Sequence, residues 1–120
     1  MVAGCVSINI ESTDVKLPIN EAIPCGLIIN ELVSNALKHG FPGQRRGLIQ
    51  VRLEQMSDGS VNMAISNDGV AIPDDLNLER TGSLGLQLVR LLTRQLQGTL
   101  EVQRANPTCF TVRIPPGGQP

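Results

Sequence analysis

Hydrophobic and polar residues alternate along five stretches of this chain, and such alternation is typical of β-strands that bury one face. The turn signal Asp58-Gly59 separates the second stretch from the third and predicts an antiparallel hairpin. Asn106-Pro107 turns the chain between the last two stretches. The apolar positions of the predicted strands are Val6, Ile8 and Ile10; Ile49, Val51 and Leu53; Val61, Met63 and Ile65; Leu100 and Val102; and Phe110, Val112 and Ile114.

Two further stretches have the period of a helix. Pro18 suits the start of a helix from Ile19, and Gly40 suits its end. Ser83 is a candidate N-cap for a second helix, which Gly98 ends. The predicted apolar arc of the first helix comprises Ala22, Cys25, Ile29, Leu32, Val33, Ala36 and Leu37, and that of the second comprises Leu84, Leu88, Leu91 and Leu92.

The predicted order is strand, helix, strand, strand, loop, helix, strand, strand, with the polar loop running from Ile72 to Gly82. Each strand has one apolar face and both helices are amphipathic. The economical fold is therefore an α/β (α+β) two-layer sandwich, with the helices on one face of a mixed, mostly antiparallel sheet. A doubly wound parallel sheet is disfavoured because the hairpins leave too few crossover helices. We expect a single domain over residues 1–120, with its core at about 6–115 and a tail at 116–120.

The composition limits the kind of core and the kinds of binding partner that this chain can have. Aromatic residues make up only 2% of the 120, so the core must be aliphatic. A net charge of −1 argues against general affinity for nucleic acid or for an anionic membrane. The three cysteines are widely spaced, match no metal-binding spacing and suggest thiols in a reducing compartment. The sequence has neither an apolar run of membrane-spanning length nor a secretory leader, and we expect a cytoplasmic domain.

The first predicted helix carries a column of polar side chains opposite its apolar arc. Glu31, Asn35 and Lys38 are spaced by four and three residues, which stacks them on one helix face. The carboxylate can accept a proton, the amide oxygen can ligate a hard cation such as Mg²⁺, and the ammonium can meet phosphate oxygens. The alternative is an ordinary solvated helix face, and this spacing alone favours that alternative.

Two glycine-bearing segments add candidate chemistry. Asp68 follows the third predicted strand, where its carboxylate can accept a hydrogen bond from the exocyclic amine of adenine, and Gly69 lets a flat ligand approach the backbone. Residues 81–86 form a glycine-bearing start to the second helix, where backbone N–H groups can bind phosphate. A common Asn-Asp-Gly turn and a flexible loop with a helix cap are the alternatives. Neither a P-loop nor a Rossmann glycine motif is present.

The order of these motifs resembles the ATP-binding domain of the GHKL superfamily, which includes histidine kinases, gyrase-type ATPases, Hsp90 and MutL. Residues 22–39, with Glu31-x-x-x-Asn35, look like the N box of sensor histidine kinases of the HWE/HisKA_2 type. Residues 83–89 look like the second glycine box of those kinases, and Thr108 begins a similar last strand. The resemblance covers roughly residues 6–115 and implies the Bergerat α/β sandwich.

The resemblance also implies roles for individual residues. Asn35 corresponds to the Mg²⁺-binding asparagine, Glu31 to the acid that acts as a base in the family's hydrolases, and Lys38 to a phosphate-contacting residue. Asp68 corresponds to the adenine-reading aspartate, and Thr108 to the threonine that completes the adenine pocket, usually through water. The remaining residues expected at the nucleotide site are Gly69, Ala71, Gly82, Ser83, Leu84 and Gly85.

The chain departs from the family pattern in the first glycine motif. The family has Asp-x-Gly-x-Gly or Asp-Gly-x-Gly, whereas here Asp68-Gly69-Val70 is followed by Ala71. The lid between Ala71 and Gly82 contains no Phe, so no separate F box is visible.

The expected function is that of the ATP-binding catalytic domain of a two-component sensor histidine kinase, with ATP and Mg²⁺ as cofactors. It would transfer the γ-phosphoryl group to a histidine on a separate dimerisation domain, and a response regulator would act downstream. His39 lies in the N box and is not that acceptor, so we expect a catalytic domain apart from its substrate domain. The alternatives on the same fold are a serine kinase of the anti-sigma-factor kind and a non-catalytic ATP-binding regulatory module.

Overall fold

The computed structural model describes residues 5–41, 46–73 and 84–116. The order of its elements is the predicted one. The strands are β1 (Val6–Ser12), β2 (Gly47–Gln55), β3 (Val61–Asn67), β4 (Thr99–Gln103) and β5 (Thr108–Ile114), and the helices are α1 (Ile19–Asn35) and α2 (Leu84–Gln95). A π-helical turn, Ala36–Gly40, follows α1 directly. Most of the loop predicted from Ile72 to Gly82 lies outside the described residues.

The five strands form one mixed sheet in the order β1-β2-β3-β5-β4. β1 pairs with β2 in parallel, and every other neighbouring pair is antiparallel. The parallel pair requires a crossover, which α1 provides because it lies between β1 and β2 in the sequence. The prediction of a two-layer sandwich with a mostly antiparallel sheet is confirmed.

The core is mostly aliphatic, with Phe41 and Phe110 as its aromatic members, and lies between the helices and the central strands. Alternate residues of β3 and β5 are buried, and they meet as cross-strand pairs in which Met63 faces Val112 and Ile65 faces Phe110. Apolar cross-strand pairs of this kind fix the register, because a slip of one residue would turn every buried side chain outward. The strand faces inferred from alternation are therefore correct at the centre of the sheet. For the edge strand β1 the inference is wrong, because Ile8 and Ile10 are 48% and 66% exposed.

The predicted helix faces need correction. In α1 the most deeply buried residue is Ile28, which the predicted arc omitted, whereas Ala22 and Leu37 from that arc are exposed. Leu37 lies in the π turn, whose i→i+5 hydrogen bonds break the α-helical periodicity. In α2 the predicted Leu84 and Leu91 are 82% and 50% exposed. The buried α2 residues are Leu86, Val89, Leu92 and Thr93.

The end of α2 also differs in detail from the prediction. Gln97, not Gly98, adopts the left-handed conformation, with φ of 58°. Gly98 is required for another reason, because a Cβ on it would lie 2.4 Å from the carbonyl oxygen of Arg113. Gly98 therefore lets α2 end close against β5.

Cys5, Cys25 and Cys109 form no disulfide with one another. Burial, with a smaller contribution from the Glu21 carboxylate, raises the pKa of Cys25 to about 11. This thiol therefore stays protonated near neutral pH and behaves as a core side chain. Among the helices of the described residues, none is long and apolar enough to cross a membrane.

Truncating the core side of α1 should destabilise the domain far more than truncating its outer side. Ile28 is fully buried and Ile23 is 60% exposed, although both lie on the same helix. We expect Ile28→Ala to lower the free energy of unfolding by about 2–5 kcal/mol, because it removes buried methyl groups and leaves a cavity.

Urea denaturation of the two variants measures the difference. Ile23→Ala is the matched control and should cost less than about 1 kcal/mol. Equal losses would contradict the burial assigned to Ile28.

Candidate functional site

The π turn that follows α1 is hydrogen-bonded to the residues that follow the central strand β3. The carbonyl oxygen of Gly40 accepts a hydrogen bond of 2.7 Å from the N–H of Val70. A Cβ on Gly69 would lie 2.0 Å from that same oxygen, so only glycine fits between them. We call Gly40, Asn67, Gly69 and Val70 the helix–strand junction.

Asn67 is the buried polar side chain of this junction, with 7% exposure. Its Oδ1 accepts the N–H of Gly69 at 2.9 Å. A Cβ on Gly40 would lie 3.0 Å from that Oδ1, so the amide lies directly beside the helix end. In the sheet, Asn67 is paired with Thr108 of β5.

Thr108 is the first residue of the neighbouring strand β5, beside Asn67, and is 4% exposed. Its hydroxyl donates to the carbonyl oxygen of Arg104 at 2.9 Å. That carbonyl also accepts the N–H of Ile72 at 2.9 Å, and the Arg104 guanidinium donates to the carbonyl of Pro73. The chain leaving the junction is therefore tied to the β4–β5 turn beside Thr108.

Asp68, which the sequence predicted to hydrogen-bond adenine, is bonded to the neighbouring strand β2 and not to the helix–strand junction. It is exposed, and its Oδ1 accepts the N–H of Leu48 at 2.8 Å while its own N–H donates to the Leu48 carbonyl. The Asp68 carboxylate thus extends the pairing of β3 with β2, and the geometry does not favour it as a base reader. Asn67 is the residue that the sequence interpretation missed.

Two signals in the sequence point to Asn67. Val61, Met63 and Ile65 form the inward face of β3, and the next inward position in that alternation is residue 67. Counting back from Gly69 in the pattern Asp-x-Gly-x-Gly also gives residue 67, with Ala71 in place of the last glycine. The chain therefore carries an amide at the acid position of this motif.

The polar column predicted on α1 leads into the junction. Glu31 and Asn35 are both partly buried and lie one helical turn apart, and Asn35 is the last residue of α1. Lys38 and His39 are exposed in the π turn, whose winding departs from the spacing that predicted a single column. In the described parts of the chain, no cluster of three His, Cys, Asp or Glu side chains could enclose a metal ion.

The other predicted site residues are only partly described. Ala71 is exposed just beyond the junction, Leu84 is exposed at the first position of α2, and Gly85 is partly buried. Gly82 and Ser83 lie outside the described residues. The geometry therefore brings together the end of α1, Asn67, Gly69 and Thr108, and leaves the predicted lid as a prediction.

This geometry agrees with the comparison with known families. The profile of the family described as histidine kinase-, DNA gyrase B-, and HSP90-like ATPase matches residues 20–118. The chain belongs to this ATPase family. The resemblance noted from the sequence is therefore confirmed, whereas the assignment to the HWE/HisKA_2 type stays a prediction.

Individual relatives of this ATPase domain are sensor kinases. The chain is 32% identical over 113 residues to blue-light-activated histidine kinase 2 of Erythrobacter litoralis, a match that covers 93% of the chain and 33% of the relative. It is 36% identical over 95 residues to the sensor histidine kinase PdtaS of Mycobacterium tuberculosis, a match that covers 76% of the chain and 19% of that protein. The chain thus spans a third or less of these relatives.

A solved structure supports the same conclusion about the fold. The histidine kinase domain of the blue-light-activated kinase EL346 from Erythrobacter litoralis superposes with a TM-score of 0.85 at 32% identity. The superposition covers 93% of this chain and 55% of that one. The ATPase domain described above therefore has the sandwich fold of a histidine kinase catalytic region.

A methyl group at Gly69 should disrupt the helix–strand junction. In Gly69→Ala the new Cβ would overlap the Gly40 carbonyl oxygen, so the Val70–Gly40 hydrogen bond must lengthen or break. We expect a loss of about 1–3 kcal/mol in unfolding free energy together with weaker nucleotide binding.

Gly26→Ala is the matched control, because a Cβ on Gly26 meets nothing within 4 Å. It should leave nucleotide affinity unchanged and stabilise α1 by up to about 1 kcal/mol. Thermal unfolding and calorimetry with a nucleoside triphosphate measure both effects. A Gly69→Ala protein as stable as the wild type would refute the close approach.

Proposed function

We propose that this domain binds ATP·Mg²⁺ and transfers the γ-phosphoryl group to a histidine side chain on a separate dimerisation domain. One observation carries the proposal: the helix end that bears Glu31 and Asn35 is bonded through Gly40 to the strand end that bears Asn67. A nucleotide can therefore meet a base pocket and a phosphate site at one junction. Membership of the ATPase family, which implies use of a nucleotide, supports the same conclusion.

The two ends of the nucleotide would be held by different elements. The purine would lie at the strand end beside Asn67 and Thr108. The triphosphate would extend toward Asn35 and Lys38 at the end of α1. Asn35 fits Mg²⁺ because its amide oxygen is a hard ligand and Mg²⁺ usually takes few protein ligands besides phosphate and water. When bound, the ion neutralises charge on the phosphates.

The transfer step needs mainly positioning. A ring nitrogen of the acceptor histidine forms a bond to the γ-phosphorus, and the bond from that phosphorus to the bridging oxygen breaks, so that ADP leaves. Glu31, one turn before Asn35, would orient the acceptor imidazole and accept its ring proton. Lys38 would balance charge on the phosphates as a point charge.

The acceptor domain and a downstream response regulator are the proposed partners, and the cytoplasm is the proposed compartment. The two curated relatives described above are named as histidine kinases and are three times or more the length of the matched region. Ala71, which replaces a glycine of the family pattern, favours one competing function, a nucleotide-binding module without turnover.

Labelled ATP and an isolated His-bearing dimerisation domain distinguish these functions. Acid-labile phosphohistidine on the added domain supports the kinase. Acid-stable phosphoserine on a protein partner would instead support a serine kinase of the same fold. Nucleotide binding without transfer to any partner would support the regulatory module.

Removal of the Asn35 side chain should abolish the Mg²⁺-dependent part of nucleotide affinity. We expect Asn35→Ala to weaken ATP binding about tenfold or more in Mg²⁺ and to change it little in EDTA, because the lost group is a metal ligand. Asn35→Asp keeps an oxygen but adds a charge beside the triphosphate, so it should also change the affinity. Calorimetric titrations with Mg²⁺ or EDTA measure these effects.

Asn30→Ala is the matched control, since Asn30 is exposed on the same helix. It should bind ATP·Mg²⁺ like the wild type. If Asn35→Ala also binds ATP·Mg²⁺ like the wild type, α1 is only a scaffold and the proposed metal site is wrong.

Glu31 should affect transfer rather than affinity. We expect Glu31→Gln to retain the dissociation constant for ATP but to slow phosphoryl transfer to a supplied His domain by about 100-fold or more, because a proton acceptor is lost. Single-turnover transfer measures the rate. Glu54→Gln, an exposed position on β2, is the control. An unchanged rate in Glu31→Gln would assign Glu31 to the solvated face of its helix.

A further inference from the structure

The edge strand β1 carries apolar side chains that the described residues leave exposed. β1 is an end strand of the sheet, and Ile8 and Ile10 are both exposed on it. They lie on the helix side of the sheet, because their register partners on β2, Ile49 and Val51, are buried there. We infer that β1 is the interface of a symmetric dimer, in which it pairs antiparallel with β1 of a second copy of this chain. This inference concerns assembly and does not rest on the proposed function.

The backbone of β1 has hydrogen-bonding groups available along its outer edge. The Cys5 carbonyl accepts the Gly47 N–H, and the Thr13 N–H donates to the Leu53 carbonyl. Because backbone groups alternate in direction along a strand, the odd-numbered residues of β1 point theirs toward β2 and the even-numbered residues point theirs away from the sheet. No described strand pairs with this outer edge. The outward-pointing residues are Val6, Ile8, Ile10 and Ser12. An edge of this kind is a template for pairing with another chain.

The sequence of β1 is complementary to itself in the antiparallel direction. Pairing the whole strand with its copy puts Asn9 opposite Asn9 on the two-fold axis, because residues 6–12 are centred on it. Ile8 then lies opposite Ile10 of the second copy, and Ile10 lies opposite Ile8. Because the backbone groups of both residues point outward, each of these pairs can exchange two hydrogen bonds while covering two exposed apolar side chains.

The charges favour pairing at β1 over pairing at the other edge of the sheet. Glu11 is the one charged residue of β1, and in this register it lies opposite Ser7 of the second copy, so no like charges meet. The other edge strand, β4, is centred on Glu101, and the same pairing there would oppose two carboxylates, which destabilises a strand pair. The apolar residues of β4, Leu100 and Val102, already pack against the core.

The dimer would join two sheets into one and leave both proposed nucleotide sites uncovered. The two-fold axis of an antiparallel strand pair is perpendicular to the sheet, so both helix layers would lie on the same side. Ile8 and Ile10 of the two copies would form an isoleucine strip between these layers. The helix–strand junction lies toward the Val6 end of β1, since Ile8 and Asn67 share the register partner Ile49. The two junctions would therefore lie at opposite ends of the isoleucine strip.

Sedimentation velocity of the full chain over a range of concentrations tests this assembly. We expect a concentration-dependent equilibrium between monomer and dimer, which is weak because a single strand pair buries little area. Ile10→Lys adds to the isoleucine strip the kind of charge with which natural edge strands prevent pairing. It should raise the dissociation constant of the dimer about tenfold or more.

Ile23→Lys is the matched control for the added charge. Ile23 is 60% exposed against 66% for Ile10, and it lies on α1 rather than on the edge strand. This variant should leave the dissociation constant of the dimer unchanged. Thermal unfolding checks that each variant is folded, and the cross-linking experiment decides if Ile10→Lys is not.

Cysteine cross-linking tests the register independently. Asn9→Cys places two thiols opposite each other at a pair that exchanges no hydrogen bonds, where the Cβ atoms lie close enough for a disulfide. Glu101→Cys, exposed at the centre of the other edge strand, is the control. Both are made together with Cys5→Ser, because Cys5 is exposed next to β1. With oxidised glutathione as the oxidant, Asn9→Cys should form a covalent dimer at a protein concentration at which Glu101→Cys does not.

Each result counts for or against the dimer. A wild type that stays monomeric at millimolar concentration would overturn the inference and assign the β1 edge to a different partner. Equal dissociation constants for Ile10→Lys and the wild type would also overturn it, as would equal cross-linking of Asn9→Cys and Glu101→Cys. Dimerisation that is weakened by Ile10→Lys, retained in Ile23→Lys and trapped by Asn9→Cys would support it.

Discussion

The close approach of Gly69 to the carbonyl oxygen of Gly40 is the constraint on which the site depends. Because no side chain fits between them, the end of the helix layer can lie directly on the end of the central strand. The Val70 N–H then bonds that carbonyl and fixes the contact. The π turn between Asn35 and Gly40 brings the carbonyl into position, which is consistent with the frequent occurrence of such turns at functional sites.

The contact between Gly69 and Gly40 fixes the relative position of Asn35 and Asn67, which are far apart in the sequence. Asn35 belongs to the helix and Asn67 to the sheet, and without the junction the two would be positioned only by apolar packing of α1 on β3. A hydrogen-bonded backbone contact tolerates less displacement than aliphatic packing does, because it is directional. The hydrogen bond from the Ile72 N–H to the Arg104 carbonyl holds the residues beside Thr108 in the same way, and it too joins main-chain atoms only. The scaffold can therefore keep its geometry while individual side chains at the site change.

The sequence predicts the centre of the sheet well because alternation indicates a strand with one buried face, and β3 illustrates this from Val61 onward. It fails at the edge strand β1, where the alternating residues Ile8 and Ile10 are exposed. The helix faces are predicted less well because both helices also carry apolar residues outside their buried faces: the exposed Leu84 and Leu91 look equivalent to the buried Leu86 and Val89 until the packing partner is known. The sequence interpretation chose Asp68 because it precedes Gly69, and it did not extend the alternation of β3 to Asn67, which is the inward residue at this strand end. The role of either residue toward a base stays a prediction. The π turn has no signature in the residues themselves, since it arises where the helix must meet the strand.

The same junction explains why an amide is well tolerated at residue 67. The end of a helix carries a partial negative charge on its last carbonyl groups, and Gly40, whose carbonyl is one of these, lies beside the Asn67 side chain. A carboxylate there would gain a stronger hydrogen bond from the Gly69 N–H but would also be repelled by the helix end. Asn67 keeps the neutral form of that hydrogen bond and avoids the repulsion. Stability therefore need not favour the acid at this position, and its identity is left to be decided by the ligand.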